Sequence, residues 1–139
     1  RLVLDTNVLI SCLMWRSHPR RLLDLEREGA VAVYTSGDLL DELANVLSRE
    51  KWMAMFAAKQ TNAAYLMQRF GVLAKLTVPQ PIARIVPDDP DDDAVIACAL
   101  AARADLIVSG DSHLLRLKRH QDIPIVRPAE AQRIIEQTG

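Results

Sequence analysis

Residues 88–111 read DDPDDDAVIACALAARADLIVSGD, and how this stretch is read decides the fold. It opens with five carboxylates in six residues, Asp88, Asp89, Asp91, Asp92 and Asp93, interrupted by Pro90. An alanine-rich apolar run follows, then a short β-type run, Leu106 to Val108, and one more acid, Asp111. The apolar period changes from helical to extended inside this stretch. Negative charge therefore sits at one helix start and at one strand end.

Working outward, the same alternation recurs. Leu2 to Leu4 is apolar, Asp5-Thr6-Asn7 is a polar break, and Val8 to Met14 resumes, which reads as strand, turn and helix with Asp5 at the strand's carboxyl end. Pro19 to Glu28 reads as an amphipathic helix closed by Gly29, and Val31 to Thr35 as a strand. Ser36 or Thr35 caps the next helix, whose core stripe is Leu39, Leu43, Val46 and Leu47. Glu42 lies along that stripe, where a carboxylate needs a partner. Met53 to Gly71 reads as one long helix or two, with Asn62 as the boundary and Gly71 as the stop. Leu73 to Pro87 is a proline-bearing connector with a short edge strand near Leu76–Val78. After Asp111, Ser112 to His120 reads as a short basic helix, Ile123 to Val126 as a strand, and Pro128 to Gln137 as a last helix.

Strands alternating with helices imply a mostly parallel central sheet covered by helices on both faces, an α/β fold. Ligands in such sheets bind outside the carboxyl ends of the strands, so Asp5 and Asp111 are expected to meet at one edge.

The chain of 139 residues is long enough for one domain, 1–139, with a real core. Half of it is hydrophobic and its net charge is −1, which excludes a globally basic nucleic-acid binder and leaves room for a local basic patch. The apolar runs fall far short of a membrane span, no secretory leader is expected, and Cys12 and Cys98 read as buried free thiols. A cytoplasmic location follows as the expectation.

Two accounts of the acids stand side by side. As caps, Asp89 takes the N-cap, Pro90 the first helical position, and Asp91 and Asp92 the first turn. Asp5 would cap a helix too, Asp111 would be a turn residue after Gly110, and Glu42 a surface acid. One charged end or one cap is worth about 1 kcal/mol or less, and five neighbouring like charges overshoot that need. As ligands, three or four carboxylates suffice for a hard divalent ion that keeps several waters. Convergence favours the second account, because four acids from separate segments can reach one sheet edge. Carboxylate-held Mg²⁺ or Mn²⁺ serves phosphoryl chemistry.

No Walker A, GxGxxG or GxSxG motif is present. His18, His113 and His120 read as surface histidines. Arg16, Arg20 and Arg21, and after Asp111 the residues Arg116, Lys118 and Arg119, form two basic groups near the expected edge, suited to an RNA backbone or simply to solvent. Aromatic residues, at 4%, are too scarce for a base-stacking platform, so Trp15 and Trp52 read as packing residues.

With these residues in view, the chain resembles the PIN domain. The matching segments are LVLDTNVLI (2–10), SGDLLDEL (36–43) with LANVLSR (43–49), DPDDDAVIACALAARADLIVSGDSHLL (89–115) and IPIVRPAEA (123–131). They are most similar to the branch associated with toxin–antitoxin pairs and related to VapC toxins. The resemblance implies a three-layer α/β/α sandwich and an Mg²⁺- or Mn²⁺-dependent ribonuclease. It assigns Asp5, Glu42 and Asp111 as metal-site acids, with the third acid in DPDDD. An Asn in the last place of that run in relatives selects Asp92, which is taken first; an acid followed directly by a small-apolar helix selects Asp93. Asn7 and Ser109 match supporting polar positions. A homodimer or higher oligomer, an RNA substrate and an antitoxin partner are implied as well. The resemblance also suggests a mechanism in which Asp5, Asp92 and Asp111 hold one ion, and Glu42 holds or orients a second ion or the attacking water. Two rivals remain: an Mg²⁺-dependent phosphotransfer or phosphatase domain, whose motifs are incomplete here, and a non-catalytic interaction module on the same fold.

Overall fold

A computed structural model describes residues 1–14, 18–80 and 90–138. In chain order the elements are β1 Leu2–Leu4, α1 Thr6–Met14, α2 His18–Arg27, β2 Val33–Ser36, α3 Gly37–Leu47, α4 Glu50–Ala58, α5 Ala63–Leu73, β3 Lys75–Thr77, α6 Pro90–Ala102, β4 Leu106–Val108, α7 Ser112–Leu117, β5 Arg119–His120, β6 Ile123–Val126 and α8 Pro128–Thr138. The strands form one sheet in the order β3-β2-β1-β4-β6-β5. Every pairing is parallel except the last, β5 with β6.

The short strands are apolar throughout because the sheet is covered on both faces. Alternate residues divide between two cores. Leu2, Leu4, Leu106, Val108 and Val126 join α1, α2 and α8 on one face. Val3, Ile107, Ile123 and Ile125 join α6 and α7 on the other. The expected three-layer α/β/α architecture with a mostly parallel sheet is thus present.

Local chemistry sets several boundaries. Ser36 caps α3, its hydroxyl accepting the Leu39 N–H at 3.3 Å, and Asn62 caps α5, accepting the Tyr65 N–H at 2.8 Å. Asn62 therefore splits the Met53–Gly71 stretch into two helices. Gly29 follows α2 at φ +80, a left-handed turn that glycine adopts without strain. Pro90 is the first residue of α6, where its missing N–H costs nothing.

Three expectations are corrected. Gly71 does not stop α5, which runs through it to Leu73 and ends on the extended backbone of Ala74. The helix α1 begins at Thr6 rather than Val8, because the Asp5 carboxylate caps it directly. Ser112 to His120 is not one helix: Lys118 turns left-handed at φ 60, and Arg119–His120 then pairs with β6. The capping role of Asp89, the connector residues 81–87, Trp15 and Arg16 lie outside the described residues.

The chain leaves β1 toward β2 on one side, whereas β4 lies on the other. The crevice at the carboxyl ends of β1 and β4 is the switch point, where such sheets place their ligands. Asp5 follows β1 there, and Ser109-Gly110-Asp111 follows β4.

Candidate metal centre

Asp5 is pinned by both strands of the switch point. Its backbone N–H donates to Val108 O at 3.0 Å. Its Oδ1 accepts the Val8 N–H at 2.9 Å, and its Oδ2 accepts the Ser109 hydroxyl. Ser109 is fully buried, and its oxygen accepts the Asp111 N–H at 2.9 Å. One serine thereby ties together Asp5 and Asp111, two acids that stand far apart in the sequence. Asp111 caps α7, accepting the His113 N–H at 2.7 Å. A carboxylate offers about four lone-pair sites, so capping leaves acceptor capacity. Cap and ligand are compatible roles.

The other two acids arrive from helices. Glu42, half-buried on α3, accepts the Thr6 hydroxyl at 2.9 Å, so the carboxylate expected to need a partner has one. Asp92 and Asp93 are both buried in the first turn of α6, where the helix N-terminus favours negative charge. A small cleft of about 60 Å³ is lined by Asp5, Thr6, Asn7, Glu42, Asp92, Val95 and Asp111. Asp92 and Val95, three residues apart, share one helix face. Asp93 sits about 100° further round and is not among the lining residues, so the geometry selects Asp92 for the cleft. Asn7 lines it from an exposed position.

Burial pushes the Asp5 carboxyl above its ordinary range, and nearby Asp111 adds to the rise. The Ser109 hydroxyl and the N–H groups of Val8 and Gly110 hold it back. Crowded carboxylates of this kind favour a bound cation, and an all-oxygen lining is the donor set that hard divalent ions take. The residues therefore fit a divalent metal ion, with Asp5, Asp92 and Asp111 as the carboxylates that would hold it and Glu42 lining the same cleft.

Sequence reasoning passed over Thr6, which donates to Glu42 and whose only signal was its place beside Asp5. His113, read as a surface histidine, has a side chain that is 40% exposed. One ligand atom from each of Asp92, Asp111 and His113 can lie within 4.8 Å of the others.

The basic residues behave differently. Arg21 is engaged by Glu28 at 2.9 Å and Glu136 at 3.3 Å, contacts that link α2 to α8. Arg116, Lys118 and Arg119 are exposed beyond the site. Arg20 lies in α2, its side chain outside the description. Trp52 packs on the core and stacks with Phe56, as expected of a packing residue. Cys12 and Cys98 are buried free thiols.

A three-layer α/β sandwich with carboxylates gathered at its switch point defines a class of α/β folds whose site fits a divalent metal ion. Within it, the sequence profile of the PIN domain matches residues 1–113, and the chain belongs to that family. PIN domains are generally nucleases that use divalent metals. No curated protein matches the chain. Among the described residues no helix is long and apolar enough to cross a membrane.

Proposed function

We propose that the chain is an Mg²⁺- or Mn²⁺-dependent endoribonuclease that hydrolyses phosphodiester bonds of single-stranded or structured RNA. The observation that carries this reading is the cleft itself: four carboxylates from four separate segments line one space of about 60 Å³ at the switch point. A divalent ion bound there would lower the pKa of a water and neutralise charge on the phosphate. Asp5, Asp92 and Asp111 would hold the ion, with Ser109 fixing the first and last of them. Glu42, oriented by Thr6, positions the attacking water and accepts its proton. The water oxygen bonds to phosphorus as the 3′-oxygen leaves and takes up a proton, giving a 5′-phosphate and a 3′-hydroxyl. Arg116, Lys118 and Arg119 are proposed contacts for the RNA backbone.

The test is digestion of single-stranded RNA with and without EDTA, beside Asp5→Asn. Cutting is expected to stop with the chelator and to fall about a hundredfold or more in the variant, since loss of even a residue behind a metal ligand costs about 10–100-fold. Cutting that persists in EDTA would sink the reading.

The resemblance to the toxin–antitoxin branch extends the proposal to a cytoplasmic toxin with a protein antitoxin. Growth arrest on expression, relieved by a neighbouring gene product, is the outcome that supports it; unimpeded growth opposes it. A homodimer or higher oligomer is proposed too, supported by exposed Val72, Leu76 and Val78 on and beside the sheet's β3 edge.

A further inference from the structure

We infer that His113 is a metal ligand, so that the cleft binds its ion through a mixed oxygen–nitrogen set and favours Mn²⁺ over Mg²⁺. This rests on the metal-nuclease reading and deepens it. The imidazole Nδ1 is buried, makes no hydrogen bond among the described residues, and stands 3.7 Å from Asp111 Oδ1. Buried polar nitrogens are rarely left without a partner, and each such case asks for a bound water or ion.

The local fold explains how the ring gets there. Asp111 caps α7 through the His113 N–H, which ties the backbone of one candidate ligand to the side chain of the other. Ligand atoms from Asp92, Asp111 and His113 already lie within 4.8 Å of one another. Donors about 2.1 Å from one ion sit up to about 4.2 Å apart, so a small side-chain rotation closes the set. The remaining face of the imidazole is open, the side chain being 40% exposed, so the ring can turn.

Donor chemistry then sets the preference. Carboxylates and water suit Mg²⁺ and Mn²⁺ alike, whereas an imidazole suits the transition ions and adds little for Mg²⁺. The alternative role for His113 is an imidazolium resting against Asp111, which brings no nitrogen to the ion.

Metal binding by the intact chain separates these without reference to cleavage. Mn²⁺ titrations followed by electron paramagnetic resonance are expected to show one tight site in the wild type, with pulsed spectra carrying the coupling of a directly bound ¹⁴N. His113→Gln should remove that coupling and weaken Mn²⁺ by about 10–100-fold, while calorimetry finds Mg²⁺ binding nearly unchanged. Wild type that binds Mn²⁺ without ¹⁴N coupling, or a variant with undiminished Mn²⁺ affinity, overturns the inference alone. Wild type that binds neither ion overturns the metal-nuclease reading beneath it.

Discussion

Asp5 shows how a single side chain can be right for the site and wrong for the apo fold. Burial raises its pKa in the folded chain above the unfolded value. Between those two values the folded state binds more protons, so stability falls as pH rises through the window and stays lower above it. Asp5→Asn removes that charge while keeping an acceptor for the Val8 N–H. In EDTA at neutral pH the variant is expected to melt no lower than wild type, and Mn²⁺ should raise the wild-type Tm more than the variant's. A variant that melts far below wild type in EDTA contradicts this. Asp5, Glu42, Asp92 and Asp111 were legible as acids at element ends or on an inward stripe. The nearness of His113 to Asp92 and Asp111 was not, because a lone histidine in a polar helix start carries no signal of what the fold brings beside it.

The helices α3 and α6 deliver two of the acids, and their starts are where element chemistry meets the site. Ser36 caps α3 and is fully buried. It also faces the Cys98 thiol, whose pKa burial pushes up to about 12 and the Ser36 contact lowers. Ser36→Ala is expected to cost about 1 kcal/mol in urea unfolding; an unchanged midpoint would show that the cap adds nothing. Thr6→Val leaves α1 in place and removes the hydroxyl that donates to Glu42, so cleavage should fall while the Tm moves little. Loss of fold instead would make Thr6 a packing residue. Asn62 marked the α4–α5 break because its side chain can cap. The strand β5 was illegible: two residues beyond a left-handed lysine show no period. Gly71 misled because a helix tolerates an interior glycine at a cost of about 1 kcal/mol.

At the scale of the molecule, the two cores meet across β1 and β4, the strands that carry Asp5 and Asp111. Ile107, fully buried at the middle of β4, anchors one of them. Ile107→Ala is expected to lose about 2–5 kcal/mol in urea unfolding. A loss under about 1 kcal/mol would mean that the sheet centre repacks freely, which close-packed cores seldom do. The proposed oligomer is checked by sedimentation, where Val72→Lys with Leu76→Lys should reduce a dimeric wild type to monomer; a monomeric wild type removes the proposal. The parallel sheet was legible from the alternation of elements. Strand order was not, because which side of β1 receives β4 depends on packing between distant helices.

The most direct measurement is the rate at which the wild type and Asp92→Asn cut single-stranded RNA in Mn²⁺, with an EDTA control. The account predicts wild-type cutting that needs the metal and yields 5′-phosphate ends, with a loss of about a hundredfold or more in the variant. Equal rates for the two proteins, or cutting that continues in EDTA, would contradict it.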